Sequence, residues 1–289
     1  MPILFVMFVV VYTDLLSLGC VLWMIERALK KHYVLSALLA LLAISVRQTN
    51  ILWVAYCCGL IFFQIEKQGF NRAKIIRFLK KLFPYYPVFL AFLIFVILNK
   101  GIPIGDASQH GISVNFAAVH FFLLTAFFVF LLRNIAALSD IFTLLRRYPW
   151  IILILIGYYF LYDFTYYRSH KYNFVEPQYF LRNAVLYYST VFPRVKIVAF
   201  VPIAWMLLTL ITEVWKSNLK REWFLLVLFG LLSFLPLPLI DQRYYLVAIT
   251  FVLILARQRP IWVEVAFGVQ SAAMAFWVVS RTSQGGFFL

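Results

Sequence analysis

Residues 197–215 read IVAFVPIAWMLLTLITEVW, and this stretch decides the fold class because its nineteen residues include one charged side chain, Glu213. A helix of that length is about 28 Å long, close to the thickness of a bilayer's hydrocarbon core. Residues 83–98, FPYYPVFLAFLIFVIL, form a second run that carries no charge. These runs are continuous rather than alternating, so they indicate membrane-spanning helices and not the strands of a barrel.

Apolar runs of this kind recur along the whole chain, separated by charged residues, proline or glycine. The predicted helices are 2–25, 33–46, 51–65, 83–98, 114–132, 150–162, 197–215, 223–240, 244–256 and 261–280. Several fall short of the roughly 20 residues that a perpendicular span needs, so tilting or shelter by neighbours is expected. The sequence thus predicts an all-α fold, a polytopic transmembrane helical bundle of about nine or ten spans. No repeat or linker divides it, so residues 1–289 are expected to form a single domain.

The composition supports this prediction and excludes several other classes. Of the 289 residues, 64% are hydrophobic and 13% are charged, whereas a water-soluble domain keeps about a quarter of its residues charged. The net charge of +15 does not indicate a nucleic-acid partner, because the basic residues lie at the ends of apolar runs. The three cysteines lie inside apolar runs, too few and too buried for a disulfide framework or a zinc site.

The basic residues also predict which loops face the cytosol. When the loops alternate between sides, one set holds 17 of the 26 lysines and arginines and the other holds nine. The richer set is expected to be cytosolic. The poorer side would then carry most of the polar segments, beginning with Arg47-Gln48-Thr49-Asn50.

Two of these polar segments offer groups suited to a phosphorylated sugar. Arg47 has a planar fork of donors that suits a phosphate, and Gln48 and Asn50 suit sugar hydroxyls. The alternative is an ordinary turn with a snorkelling arginine. In the loop 99–111, Asp106 and His110 could position an acceptor hydroxyl, with Asp106 as a candidate general base. The alternative there is a solvated loop.

Two further segments combine cations with aromatic rings. Lys171 and Tyr172 follow Arg168 in a run rich in tyrosine and phenylalanine, where rings could stack on sugars and cations could bind phosphate. An aromatic belt with basic anchors is the alternative. Arg243 could reach a ligand or pair with Asp241. Glu213 is assigned no role, and neither a nucleotide motif nor a metal-binding cluster is visible.

These segments, in this order, resemble one family. The chain is similar to the endoplasmic-reticulum α-1,2-glucosyltransferases that use dolichyl phosphate glucose, multi-spanning enzymes of the GT-C class. Five pieces of the sequence match the family: Tyr12-Thr13-Asp14 with Ser17, Arg47-Gln48-Thr49-Asn50 with Ile51 and Trp53, Gly101–Asp106 with His110, His170-Lys171-Tyr172, and Arg243-Tyr244. The Arg-Gln-Thr-Asn block and the Ile-Gly-Asp loop are the most specific of these. The similarity covers nearly all 289 residues.

The resemblance implies an activity and a set of partners. Glucose would pass from dolichyl phosphate glucose to the diglucosylated dolichyl-diphosphate oligosaccharide, with inversion at the anomeric carbon. Donor phosphate would contact Arg47, Lys171 and Arg243, while Gln48, Asn50, Asp106, His110 and Tyr172 would position sugar or acceptor. The expected location is the endoplasmic reticulum membrane, in contact with membrane lipid, and no metal, cofactor or nucleic acid is expected.

The chain also departs from the family pattern. Family members carry a further N-terminal region with an acidic luminal loop of Asp-Glu-x-Phe-His type, so the chain is expected to begin after it and the usual base to lie there. After Tyr172 the family reads Asp-Asn-Arg-His-Tyr where this chain has Glu176-Pro177-Gln178-Tyr179-Phe180. The alternatives are a membrane transporter or channel, or an inactive fragment or non-catalytic paralogue.

Overall fold

The computed structural model describes residues 13–65, 72–99, 101, 116–161, 174–175, 180–181, 188, 192–237, 240 and 242–283. Almost all of these residues are helical. The α-helices are α1 Thr13–Leu29, α2 Tyr33–Val46, α3 Ile51–Ile65, α4 Arg72–Leu82, α5 Tyr86–Leu98, α6 Phe116–Val129, α7 Leu131–Ala136, α8 Leu138–Arg147, α9 Trp150–Leu161, α10 Pro193–Lys216, α11 Lys220–Phe234, α12 Leu246–Leu255 and α13 Ile261–Ser283. Short 3-10 turns occupy Gln48–Asn50, Phe83–Tyr85 and Gln242–Tyr245.

One small element departs from the predicted all-helical fold. Two strands of two residues each, β1 Phe174–Val175 and β2 Phe180–Leu181, pair antiparallel, with Phe174 opposite Leu181. They lie in the long segment between α9 and α10.

Few of the described helices are long enough to cross a bilayer. Ile75–Leu98 and Arg194–Lys216 have both the length and the apolar composition, and Leu138–Arg147 with Trp150–Phe160 would add a third if this pair, bent by 105°, is one span. Four other apolar helices are shorter: Tyr33–Val46, Phe116–Val129, Arg243–Leu255 and Ile261–Trp277. The described chain is therefore helical with two or three candidate membrane spans, and these lengths do not confirm a count of nine or ten.

The outer surface of the bundle is apolar. On α5, the side chains of Leu90, Leu93, Ile97 and Leu98 are more than half exposed. Large apolar side chains in water form small scattered patches, not a continuous stripe along a helix. This surface fits a hydrocarbon environment.

The first two helices are joined by a short turn and are linked by buried hydrogen bonds. Lys31 adopts a left-handed backbone with φ 66°, and the amide of His32 donates to the carbonyl of Arg27 at 2.9 Å. This arrangement caps the end of α1 and lets α2 start at once. Inside, Ser36 donates to the carbonyl of Met24 at 2.6 Å and accepts from the Tyr85 hydroxyl at 2.6 Å.

A glycine contacts a leucine where α3 and α11 pack together. A Cβ placed on Gly59 would lie 2.9 Å from Cδ1 of Leu225, so a larger residue here would require the Leu225 side chain to shift. Small residues commonly permit such contacts between helices in membranes. This contact brings α11 against the helix that follows Arg47-Gln48-Thr49-Asn50.

The predicted helix boundaries are confirmed where a polar break is short. The runs 33–46 and 51–65 coincide with α2 and α3, and 150–162, 197–215 and 261–280 match α9, α10 and α13 within a few residues. The prediction that the basic segment before residue 83 is a loop is wrong in part. It forms α4, and the apolar helix of this region begins at Ile75.

The predicted run 114–132 is also interrupted. Helix α6 ends at Val129, and α7 starts at Leu131 after a single non-helical residue, Phe130. Gln270 of α13 occupies the break: its amide donates to the carbonyl of Phe128 at 2.8 Å and its Oε1 accepts from the amide of Leu132 at 3.3 Å. A helix can break inside an apolar run where a distant side chain satisfies the freed backbone groups.

Candidate functional site

A polar cavity lies where α1, the end of α2, the start of α3, α11 and the start of α12 come together. About 360 Å³ of empty space lies among its lining residues, and part of this space is open to the exterior. Three of its lining residues are charged, and the others are hydroxyl-bearing, amide or apolar. The lining residues are Asp14, Ser17, Arg47, Thr49, Asn50, Trp53, Ser233, Arg243, Tyr244, Leu246 and Val247.

A buried ion pair forms one wall of this polar cavity. Nη2 of Arg47 lies 2.6 Å from Oδ1 of Asp14, and the Asp14 side chain is 2% exposed. The Arg47 side chain keeps 23% of its surface accessible. An ionised carboxylate is stable at such depth only beside a cation, so α1 and the end of α2 are fixed to each other at this point.

The backbone around Arg47 explains why the side chain turns inward. The α2 helix stops at Val46 because Arg47 adopts an extended conformation, φ −147° and ψ 120°, and the 3-10 turn Gln48–Asn50 follows. The amide of Asn50 donates to the carbonyl of Arg47 at 3.0 Å. This turn carries the chain directly into α3 and leaves Arg47 at the cavity.

Asn50 serves mainly to hold this turn in place. Its side-chain nitrogen donates to the Ser17 hydroxyl and to the carbonyl of Ala43, both at 2.7 Å, and the residue is buried. Both amide hydrogens are therefore used inside the protein. The expectation that Asn50 positions sugar or acceptor stays a prediction.

The opposite wall is a second 3-10 turn, Gln242–Tyr245. Tyr245 is buried and its ring contacts the rings of Phe121, Phe122 and Phe234, with centroids 5.2 to 5.9 Å apart. That aromatic cluster anchors the turn and leaves Arg243 and the ring of Tyr244 half-buried at the cavity.

Tyr244 also contacts the first wall. The guanidinium carbon of Arg47 lies 5.8 Å from the centroid of the Tyr244 ring, within the range of a cation–π interaction. Residues far apart in the sequence thus place two guanidinium groups on one small cavity. Paired guanidinium groups beside hydroxyls can bind a phosphate oxygen by charge-assisted hydrogen bonds.

The cavity includes some of the site residues predicted from the sequence. Arg47, Asn50 and Arg243 line it together, whereas Gln48 lies in the same turn without lining it. Asp106, His110, Lys171 and Tyr172 lie outside the described residues.

The structure gives Arg47 a partner that the sequence does not predict. Asp14, which belongs to the segment Tyr12-Thr13-Asp14 of the family resemblance, pairs with Arg47. A carboxylate inside a long apolar run was the available signal, because such a group requires a partner at membrane depth.

A second charged cluster lies at the other end of α12, beyond Ala256. Glu213, which is 4% exposed, accepts from the Arg257 amide at 3.0 Å and lies 2.6 Å from Nη2 of Arg259. Asp140 bonds to Arg257 and Arg259 at 2.8 and 3.1 Å and to the ammonium of Lys216. Glu213, without a role in the sequence argument, therefore joins α10 to the segment that follows α12.

Arg133 extends this second cluster to α13. Its Nη1 lies 2.7 Å from Oε2 of Glu264, and its Nη2 donates to the carbonyl of Arg257 at 2.7 Å. Burial opposes the charge of Arg257, but hydrogen bonds from its guanidinium to Asp140 and Glu213 outweigh burial and raise the pKa of this group above its ordinary value. The ion pairs of the cluster tie together α7, α8, α10 and α13.

The described residues show no group of three or more histidine, cysteine, aspartate or glutamate side chains placed to hold a metal ion. The three cysteines are free and buried. The chemistry available at the polar cavity is therefore charge and hydrogen bonding from arginine, hydroxyl and aromatic groups.

Comparison with known proteins identifies relatives of one kind. The model of the DIE2/ALG10 family matches residues 1–74 and 61–254. The chain is 28% identical, over 58% of its length and 43% of the relative's, to a protein of Rattus norvegicus named Dol-P-Glc:Glc(2)Man(9)GlcNAc(2)-PP-Dol alpha-1,2-glucosyltransferase. Proteins of the same name from Arabidopsis thaliana and Homo sapiens are each 25% identical over 81% of the chain, covering 60% and 57% of their own lengths.

The chain thus spans about half the length of the curated relatives it matches. No solved structure matches it significantly.

Proposed function

The chain belongs to the DIE2/ALG10 family, and from that membership we propose that it acts in the transfer of glucose from dolichyl phosphate glucose to a diglucosylated dolichyl-diphosphate oligosaccharide. The observation that supports this most is the polar cavity that Arg47 and Arg243 line together. Binding a lipid-linked sugar phosphate requires cationic side chains for the phosphate beside an apolar surface for the lipid, and this cavity offers both.

The proposed reaction is an α-1,2-glucosyl transfer. The oxygen of the acceptor's 2-hydroxyl attacks the anomeric carbon of glucose, and the bond from that carbon to the phosphate oxygen breaks. The electron pair leaves with dolichyl phosphate, and the hydroxyl proton passes to a base. Arg47 and Arg243 would stabilise the negative charge that grows on the phosphate.

The remaining predicted residues belong to the same proposal. Lys171 would add a third cation to the phosphate, and Gln48, His110 and Tyr172 would position sugar or acceptor. Asp106 would orient the acceptor hydroxyl and is a candidate base. Asn50 would act through the turn that it holds, since its amide hydrogens bond within the protein.

We also propose the finer architecture and location. Ten apolar runs and the exposed apolar stripe of α5 support a GT-C-like bundle of about nine or ten spans in the endoplasmic reticulum membrane. The two charged clusters support the assignment of sides. One end of α12 carries two arginines from the set of loops poorer in basic residues, Arg47 and Arg243. The other end carries four basic residues from the richer set: Arg133, Lys216, Arg257 and Arg259.

Glucose transfer by the chain itself tests the function. Membranes from cells that lack the endogenous activity and express this chain would receive dolichyl phosphate glucose, and the lipid-linked oligosaccharide would be analysed by mass. A gain of one hexose is expected, reduced about tenfold or more in Arg243→Gln. Arg146→Gln, an exposed arginine of α8, is the matched control with unchanged transfer. No transfer by the wild-type chain, with a curated relative active in parallel, would overturn the proposal.

The acceptor role of Asp106 has its own test. Asp106→Asn is expected to lower the transfer rate while leaving affinity for the donor unchanged, because the role assigned is at the acceptor hydroxyl. Unchanged transfer, or an equal loss of donor affinity, would remove Asp106 from this role.

A further inference from the structure

The polar cavity contains an acid whose presence a simple phosphate site does not explain. Asp14 lies 2.6 Å from Arg47, one of the groups proposed to hold the donor phosphate. A carboxylate in that position repels a phosphate and weakens its binding. It also carries the desolvation penalty of a buried charge. An isolated pocket for tight phosphate binding would have no acid there.

The charges of the cavity provide a reason. Among the described residues that line it, the charged ones are Asp14, Arg47 and Arg243, which sum to one positive charge. Without Asp14 the same residues would sum to two. Asp14 therefore lowers by one the positive charge that these residues offer to a phosphate, which favours a singly charged phosphate relative to a doubly charged one.

The two lipid phosphates of the proposed reaction differ in that charge. The donor is a phosphodiester and carries one negative charge. The departing dolichyl phosphate is a monoester, and with a second pKa of about 6 it carries nearly two at neutral pH. A site with one more positive charge would hold the product more tightly relative to the donor, and product release would limit turnover.

We propose that Asp14 is a specificity residue that, by pairing with Arg47, tunes the phosphate site to the singly charged lipid phosphodiester and against the doubly charged monoester. This inference rests on the proposed function, since it takes Arg47 as a phosphate ligand. It assigns to Asp14 an effect on relative affinity, beyond its effect on folding.

A pair of probes that differ by one charge tests the proposal. The purified chain in detergent at pH 8 would be titrated with a short polyprenyl phosphate and with the methyl phosphodiester of the same polyprenol. Asp14→Asn is expected to shift the ratio of the two affinities on the order of tenfold toward the monoester, because the cavity gains one net positive charge. Ser17→Ala changes the same cavity without changing its charge, so the ratio should stay as in the wild type.

A charge-restoring variant separates this role from a merely structural one. In the double variant Asp14→Asn with Arg47→Gln the described lining returns to one positive charge, so the ratio should return to within about threefold of the wild type even though both affinities fall. Should Asp14→Asn fail to fold, Arg243→Gln removes a positive charge instead, and the ratio should shift about tenfold toward the diester.

The outcomes distinguish this inference from the function on which it rests. If the wild-type chain binds neither probe, the phosphate site itself is refuted and the inference with it. If it binds both and the ratio is unchanged in Asp14→Asn or, where that variant does not fold, in Arg243→Gln, the role of Asp14 is refuted and the phosphate site stands. A ratio that remains shifted in the double variant also refutes it.

Discussion

At one end of α12, Arg47 shares a cavity with Arg243 and pairs there with Asp14, while at the other end Arg257 and Arg259 bond to Glu213 and Asp140. Both clusters consist of basic side chains and carboxylates at the ends of apolar helices. They differ in how the charge is used. In the second cluster the carboxylates bridge several cations from different helices, whereas the polar cavity keeps its guanidinium groups beside open space.

This difference teaches how one bundle separates stability from binding. A carboxylate that accepts from several cations fixes the helices which carry them, and the loss of one such acceptor leaves buried charges without compensation. A guanidinium beside a cavity keeps donors for a ligand. We therefore expect substitutions in the second cluster to lower stability above all, and substitutions of the cavity arginines to lower phosphate affinity. Loss of Arg47 also lowers stability, because the buried Asp14 then loses its cation.

The largest effect is expected in the second cluster. Glu213→Gln removes the negative charge that Arg257 and Arg259 share, and the free energy of unfolding should fall by about 3 kcal/mol. Thermal unfolding of the purified chain in detergent would measure this loss, and affinity for polyprenyl phosphate should stay within about twofold. Glu222→Gln, at the start of α11, is the control with a small effect. A loss of phosphate affinity in a folded Glu213→Gln would break the comparison.

The next effect is expected at the cavity. Arg47→Gln removes a charge-assisted hydrogen bond worth about 2 kcal/mol, so affinity for polyprenyl phosphodiester should fall roughly thirtyfold. Isothermal titration would give the affinity, and Arg146→Gln should match the wild type. Affinity within threefold of the wild type would show that the cavity does not hold phosphate through this residue.

A smaller effect should follow from removing the ring beside Arg47. Tyr244→Leu deletes a cation–π contact worth about 1 kcal/mol and should weaken phosphodiester binding about fivefold. Tyr244→Phe keeps the ring and serves as its control, with affinity close to the wild type. Equal losses in the two variants would point to the hydroxyl of Tyr244 instead of the ring.

The smallest effect is expected at the hydrogen bond between Ser17 and Asn50, which holds the turn that carries Arg47. Ser17→Ala removes one of the two acceptors of the Asn50 amide and should lower the free energy of unfolding by about 1 kcal/mol or less. Thermal unfolding would record it as a shift of a few degrees at most. A loss as large as that of Glu213→Gln would mean that the turn at Asn50 carries more of the fold than its hydrogen bonds indicate.

The helix boundaries were predictable where a local signal ends the helix. Four polar residues at Arg47–Asn50 stand between two apolar runs, and α2 and α3 match those runs because the break is marked by the local sequence. The end of α6 was not predictable, because it depends on Gln270, which lies 142 residues from the carbonyl it bonds. The density of basic residues in α4 predicts a loop, although their spacing with Ile76 and Leu79 permits an amphipathic helix.

The site shows the same division. The sequence singles out Arg47 and Arg243 as candidates, since a cation within or beside an apolar run is costly and thus indicates a function. That they share one cavity depends on how α1, α11 and α12 pack, which no short stretch of sequence records. The pairing of Asp14 with Arg47 and the contact of Arg47 with Tyr244 depend on the same packing.

The contacts of α13 with the broken helix have a consequence for biosynthesis. The backbone carbonyls at the break after Val129 accept hydrogen bonds from the Gln270 amide. Arg133 pairs with Glu264, which lies 131 residues farther along the chain. A growing chain inserted into the bilayer reaches the first of these groups long before the second is synthesised. The middle of the bundle must therefore remain hydrated or be shielded by the insertion machinery until α13 arrives. Substitutions in α13 should accordingly appear first as degradation of newly made protein.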